Sequence, residues 1–239
     1  MPGPLSTEAI VLRSMRYGEA DRILHVYTPM RGRVGAIAKG VRRSRSRFGG
    51  RLEPFFRLRL GLHEGRSELL TVTSAETVAA FPRLREDPDA LDAAARACDA
   101  VGRLFDSAEP HPEVFNLLGT LLAQLDADPG RAAAPERRVA FRLKLLLAAG
   151  YAPQLGACAS CGEAGPLTGF SPAAGGVVCA ACEAGAFALD AETHDFLVSA
   201  LGRPLAEAPA ASARSLRLAD RVVVETAEHH GHVRLRAAS

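Results

Sequence analysis

The sequence predicts an α+β, multi-domain chain: an N-terminal OB-type β-barrel, then a central and C-terminal helical domain into which a four-cysteine module is inserted. Three observations predict it. Residues 5–80 carry five short apolar, β-branched or aromatic runs separated by turn residues; residues 81–150 change to an apolar spacing of three and four; and two C-x2-C pairs stand in a Gly/Ala-rich stretch ahead of the last helical pattern.

The five runs are residues 9–12, 23–27, 34–38, 55–60 and 69–73, with turn signals at Gly18, 29–32, Gly49, Gly50 and 63–65. Phe56, Leu58 and Leu60 alternate with Arg57, Arg59 and Gly61, the period of a strand with one wet face. Five strands with no helical pattern between them suit a small closed barrel better than a βαβ unit, and a five-stranded Greek-key barrel of the OB type fits their number. The boundaries read as 1–80 for the barrel, 81–150 for a helical domain, 151–189 for the cysteine module and 190–239 for closing helices that pack on the helical domain.

In the helical part, Asp87 is placed as an N-cap with Pro88 at the first helical position, ahead of Leu91, Ala94, Cys98, Val101 and Phe105. Pro110 and Pro112 break the chain before a second helix with Val114, Leu118, Leu121 and Leu125. Asp128, Pro129 and Gly130 read as a loop; a third helix runs from Pro135 to Gly150, apolar nearly all round in its middle and so the most buried. Residues 151–189 show little periodicity. Asp190 opens a further helix, and the last is expected from Ser212 to His230, although Val222, Val223 and Val224 favour a strand locally.

The apolar fraction of 48% against 23% charged excludes a disordered chain. No apolar run approaches the roughly 20 residues of a membrane span, and residues 1–9 carry no secretory signal pattern, which predicts a cytoplasmic location. The net charge of +2 divides unevenly: residues 1–80 hold 14 basic against 7 acidic side chains, the remainder 15 against 20. A basic module facing a polyanion is expected in the first part. Only Lys39 and Lys144 are lysines, which GC-rich coding explains as well as any demand for arginine forks.

Cys158-x2-Cys161 and Cys179-x2-Cys182, seventeen residues apart, fit a four-thiolate zinc pattern. Each pair on a tight knuckle aims two sulfurs at one ion, and two knuckles complete a tetrahedron with no open position, so one structural Zn²⁺ is expected rather than a hydrolytic centre. Two disulfides are the alternative, disfavoured in a cytoplasmic chain. Cys98, on an apolar helical stripe, reads as a buried inert thiol.

The second signal is a basic run: Lys39, Arg42, Arg43, Arg45, Arg47 and Arg51 within thirteen residues and without an acid. It lies between two strands, its glycines and serines make it a mobile loop, and its repulsion would be relieved by a polyanion. Phe48 could offer a stacking face for a base. Arg13, Arg16, Arg22, Arg31 and Arg33 fall on neighbouring strands, so Arg22, Arg33, Lys39, Arg42, Arg43, Arg45 and Arg47 are the residues expected to hold the phosphates of a nucleic acid. A solvated charged loop is the alternative, and no amphipathic helix or lipidation motif favours a membrane.

Catalytic patterns are missing. No phosphate-cradling G-x-x-x-x-G-K-[ST] occurs, His63 and Glu64 are followed by Ser67 where a zinc-protease motif needs histidine, and no catalytic site is expected. His229, His230 and His232 read as solvated side chains at a frayed helix end. The remaining alternatives are a zinc-ribbon RNA-binding module and a zinc-stabilised nuclease.

The pieces together resemble the RecO family of DNA repair and recombination mediators. The likeness begins at residues 8–12, runs through Tyr17-Gly-Glu-Ala-Asp21 and Tyr27-Thr-Pro-Met-Arg-Gly32, and includes Ala38-Lys39-Gly40-Val-Arg42 and Leu52-Glu53-Pro54-Phe55. It continues in residues 141–153 and ends near Glu228, His229 and His230. The resemblance implies binding of single- and double-stranded DNA and annealing of complementary strands. It also implies contact with the acidic, apolar C-terminal tail of single-stranded DNA-binding protein (SSB), for which Arg138 and Arg142, one turn apart on the third helix, are the candidates, and cooperation with RecR in loading RecA onto SSB-coated DNA. No bond-breaking chemistry and a nucleoid-associated cytoplasmic location go with it. Some members lack the four cysteines, so the metal would support the fold rather than the shared activity.

Overall fold

A computed structural model describes residues 4–43, 46, 48–65 and 67–236. The chain divides into two compact units, Met1–Pro129 and Gly130–Ser239.

The first unit is built on five strands: β1 (Pro4–Tyr17), β2 (Asp21–Thr28), β3 (Gly32–Ala38), β4 (Arg57–His63) and β5 (Leu70–Ala79). They close in the order β1-β2-β3-β5-β4, with β3 and β5 parallel and every other pair antiparallel. This is the expected OB-type barrel. Its interior follows strand alternation: Ala9 and Val11, Leu24 and Val26, Ala36 and Ala38, Leu58, Leu60 and Leu62, and Val72 are buried together. Phe48 and Leu52, from the β3–β4 connection, are each 1% exposed and complete this core. Phe48 and Leu52 therefore anchor their part of the connection in the barrel, and Phe48 is not an exposed stacking face.

Two helices cover part of the outside of the barrel: α1 (Pro88–Leu104) and α2 (Pro112–Ala127). As expected, Asp87 caps α1, its carboxylate accepting from the Ala90 amide at 2.9 Å, with Pro88 in the first turn. The register between β1 and β2 shifts between Val11 and Arg13, and Leu12, at this bulge, lies against Gly102 of α1. Ile10 is fully buried beside Gly119 of α2, and the ring of fully buried Tyr27 meets Phe105 edge-on at 6.3 Å. β1 and β2 are thus apolar on both faces at this end. Gly32 is required where the β2–β3 turn meets the segment after α1: its φ is +53°, and a Cβ there would stand 2.1 Å from the Glu109 carbonyl oxygen. The outer carboxylates of α1 form ion pairs one turn apart, Asp92 with Arg96 and Asp99 with Arg103.

The second unit contains α4 (Pro135–Ala148), α5 (Ala191–Gly202) and α6 (Ala213–Gly231), packed on one another, and a small sheet of order β7-β6-β8. Its strands are β6 (Leu167–Ser171), β7 (Gly176–Cys179) and β8 (Phe187–Ala188). The sheet corrects the expectation of an unpatterned segment: strands of two to five residues are too short to display a period. Asp128, Pro129 and Gly130 likewise do not form a plain loop, because Pro129–Ala132 winds one helical turn, α3. Asp190 caps α5 and Ser212 caps α6. Val222 and Val223 are buried in α6, so tertiary packing overrides their local strand preference. Residues 139–143 of α4 are buried without interruption, as its all-round apolar middle predicts, but Leu147 is exposed.

Candidate nucleic-acid interface and metal centre

The cations of the first unit separate into two groups. In the first, the start of the β3–β4 connection folds back on the β1–β2 turn. The Gly40 amide donates to the Asp21 carboxylate at 2.8 Å, the Arg42 amide to the Ala20 carbonyl at 3.0 Å, and the Arg42 guanidinium to the Glu19 carbonyl at 3.1 Å. Lys39, Arg42 and Arg43 are exposed there, and Arg16 is exposed on the adjoining end of β1. Arg16 and Arg22 are register partners, and Arg22 in turn pairs with Ala38. One end of the barrel therefore gathers Arg16, Lys39, Arg42 and Arg43. Arg22 belongs to the same end, but its guanidinium is engaged: it meets Glu53 at 2.9 Å and donates to the Ser14 hydroxyl at 2.9 Å. Arg45 and Arg47, expected in the same cluster, lie outside the described residues.

The second group serves the fold. The Arg33 guanidinium donates to the Gly102 carbonyl at 2.9 Å and faces His25 Nδ1 at 3.0 Å, tying β3 to the C-terminal end of α1. Burial, with Arg33 and Arg13 beside it, holds the His25 imidazole below its ordinary pKa. Arg31 pairs with Glu64. Arg57 donates twice to one Glu8 oxygen, at 2.8 and 2.6 Å, beneath the Phe115 ring. Arg85 spans the Phe56 ring at 4.5 Å while donating to the Pro54 and Ala80 carbonyls. Spacing alone does not separate these struts from the exposed cations, since basic residues of both kinds stand on strands or in turns.

Sequence reasoning missed Tyr17. It stands at the last position of β1, beside the cation cluster, and is 53% exposed. The available signal was its place next to Gly18 at a strand end, where a large aromatic side chain has little core to enter.

In the second unit the four cysteines meet. The sulfurs of Cys158, Cys161, Cys179 and Cys182 all lie within 4.8 Å of one another, and those of Cys161 and Cys179 are 3.7 Å apart. All are free thiols, so the disulfide alternative does not apply. The first knuckle closes through the Gly162 amide, which donates to the Cys158 carbonyl at 2.8 Å with Gly162 at φ +79°. The second leaves β7 at Cys179 and turns through Ala180–Cys182. Backbone amides of Cys179 and Cys161 draw the Cys158 thiol down to about 6, whereas the neighbouring thiols of Cys161 and Cys179 push Cys182 up to about 12. Four crowded sulfurs cannot all ionise alone; a dication removes that conflict. Four thiolates on one ion of Zn–S distance ≈ 2.3 Å would be spaced by about 3.8 Å, close to what the cluster already has. The residues fit a metal ion.

The sequence matches two family descriptions end to end: residues 1–81 match Recombination protein O N terminal, and residues 85–237 match Recombination protein O C terminal. The chain belongs to the RecO family. Among its relatives, the DNA repair protein RecO of Rubrobacter xylanophilus is 44% identical over 229 residues, covering 91% of this chain and 88% of that protein. That of a Nocardioides species is 41% identical, covering 90% of each chain. That of Anaeromyxobacter sp. strain Fw109-5 is 37% identical over 98% of this chain and 93% of its own. The RecO assignment makes this a DNA repair protein. Among the described residues no helix is long and apolar enough to cross a membrane.

In this RecO chain the two arginines considered for peptide docking differ in surroundings. Arg138 is half-buried and donates to the Ala133 carbonyl at 2.7 Å. Arg142 is paired with Asp220, its side chain only 6% exposed. Arg142 therefore belongs to the packing between α4 and α6 and does not present its charge to a peptide. His230 also departs from expectation: its Nε2–H donates to the Pro172 carbonyl at 2.8 Å, docking the end of α6 on the β6–β7 turn, while His229 and His232 are exposed.

Proposed function

We propose that this chain is a non-catalytic recombination mediator that holds DNA phosphates on the exposed cations at one end of its barrel. Lys39, Arg42 and Arg43 carry the contacts, with Arg45 and Arg47 continuing the run and Arg22, braced by Glu53, supporting it. The supporting observation is the backbone and side-chain clasp that holds residues 40–42 against residues 19–21, so that these cations share one surface with Arg16. Phosphate contacts carry no base information, so binding is expected to be nearly sequence-blind. Screening two strands on one cationic surface lowers their mutual repulsion while base pairing selects the partner, which accounts for annealing. The likeness to the RecO family supports including in this reading cooperation with RecR, contact with the SSB tail, help in loading RecA, and a cytoplasmic, nucleoid-associated location. Arg138 is the residue on α4 proposed to meet the SSB tail.

We further propose that the four thiolates hold one Zn²⁺, the soft-ligand ion that suits a tetrahedral sulfur set. The ion would fasten the two knuckles to each other, with no open position for substrate.

The test is titration of a labelled oligonucleotide across a salt series. Neutralising about six phosphates of a single strand gives a slope of log K on log salt near −4. Replacing Lys39, Arg42 and Arg43 by alanine should flatten that slope and lower affinity without changing the unfolding midpoint; an unchanged slope rejects the assignment. A strand-annealing assay on the same variant reads the mediator activity.

A further inference from the structure

The outer face of the barrel is not uniform. Leu24, Val26, Ala36 and Ala38 point into the core, so Ile23, His25 and Ile37 point outward by alternation. On β1 the register partners of His25 and Ile23 are Arg13 and Met15, and the next outward residue is Tyr17. Met15, Ile23 and Ile37 therefore stand at one register level across three strands. At the other end, the outward residues Ile10 and Tyr27 are fully buried beside α2 and α1. At this end Met15, Ile23 and Ile37 are only half-buried, and Tyr17 is 53% exposed. A half-buried apolar strip ending in exposed Tyr17 thus reaches the surface, bordered by exposed Arg13 and by Lys39 and Arg42 of the folded-back connection.

We infer that Tyr17, together with the half-exposed Met15, Ile23 and Ile37, forms a platform on which unpaired bases of a single DNA strand stack, while the bordering cations hold the strand's phosphates. The inference rests on the proposed DNA binding and adds to it a source of preference for single strands. An aromatic face beside cations is the arrangement that binds single strands without regard to sequence, because every base has a π-face. A duplex keeps those faces inside its own stack and can offer only phosphates. The same end of the barrel should therefore treat the two forms differently.

The experiment compares wild type, Tyr17→Ala, Tyr17→Phe and the Lys39, Arg42, Arg43 triple alanine variant on three ligands of equal charge: an oligothymidine, an abasic strand of the same length, and a duplex matched in phosphate number. Tyr17→Ala is expected to weaken oligothymidine binding between about 5- and 100-fold, to leave the abasic strand and duplex within about twofold, and to be rescued by Tyr17→Phe. The triple variant is expected to weaken all three ligands alike. Wild-type affinity for oligothymidine in Tyr17→Ala overturns the inference, as does equal weakening of all three ligands. If wild type binds none of the three, the DNA-binding reading itself fails; if it binds all three and only the triple variant loses them, the stacking inference fails while that reading stands.

Discussion

Arg142 and Asp220 form an ion pair between α4 and α6, with 6% and 13% of their side chains exposed. Removing one partner from such a pair leaves the other charge desolvated and uncompensated, a loss of about 3–5 kcal/mol. Arg142→Ala and Asp220→Ala should each lower the urea midpoint by a corresponding amount, and the double variant should lose less than the two losses added. Strict additivity would show that the two groups do not interact. Replacing Arg138 in the same way should have little effect on the midpoint.

The cysteine cluster predicts a metal-linked stability. Because the ion would bind only the folded knuckles, chelation should lower the melting temperature of the second unit's transition and release one zinc per chain, read by atomic absorption. Thiol counting gives an independent check. Before chelation little should react at neutral pH, and afterwards four thiols should. Cys98 should stay silent in both states, since burial pushes its thiol up to about 12. A fifth rapidly reacting thiol would show that α1 does not bury it.

Gly32→Ala should destabilise the first unit by at least about 2 kcal/mol, from the left-handed φ alone, with the approach to the Glu109 carbonyl adding to it. Gly50→Ala, at an open site with ordinary φ, is the control and should change little. Equal unfolding midpoints for the two variants would rule out the close approach.

Asp190 links charge to the ends of α5 and α6. Its carboxylate accepts from the Thr193 hydroxyl at 2.6 Å and from the Thr193 amide at 2.8 Å, and these bonds, with Arg214 nearby, hold its pKa below the ordinary carboxylate range. A depressed native pKa stabilises the fold above the unfolded pKa, and that contribution disappears as pH falls through the native value. Stability should thus decline below about pH 4, and Asp190→Asn should reduce that slope. Glu192, lowered by the Ser215 and Ser212 hydroxyls, contributes in the same direction. Asp190→Ala should cost about 1 kcal/mol at neutral pH as a lost cap. An identical acid slope in Asp190→Asn would assign the decline to other carboxylates.

What the amino-acid order determined by itself is local. Alternation in residues 57–62 fixes which side chains share a face, the Asp87-Pro88 and Ser212 signals start helices, and two C-x2-C pairs bring four sulfurs to one point. These need only neighbouring residues, so they were legible. Tertiary structure decided what covers each face. Parity puts Ile10 and Ile23 on the outside alike, but only the placement of α1 and α2 buries the first and leaves the second half in solvent. The same holds for the aromatics, where Phe48 of the basic run plugs the barrel and Tyr17 faces water. It holds too for the arginines, where Arg142 meets an acid 78 residues away and Lys39 meets none of the described carboxylates. Burial and pairing depend on segments distant in the chain, and no local pattern carries their distance.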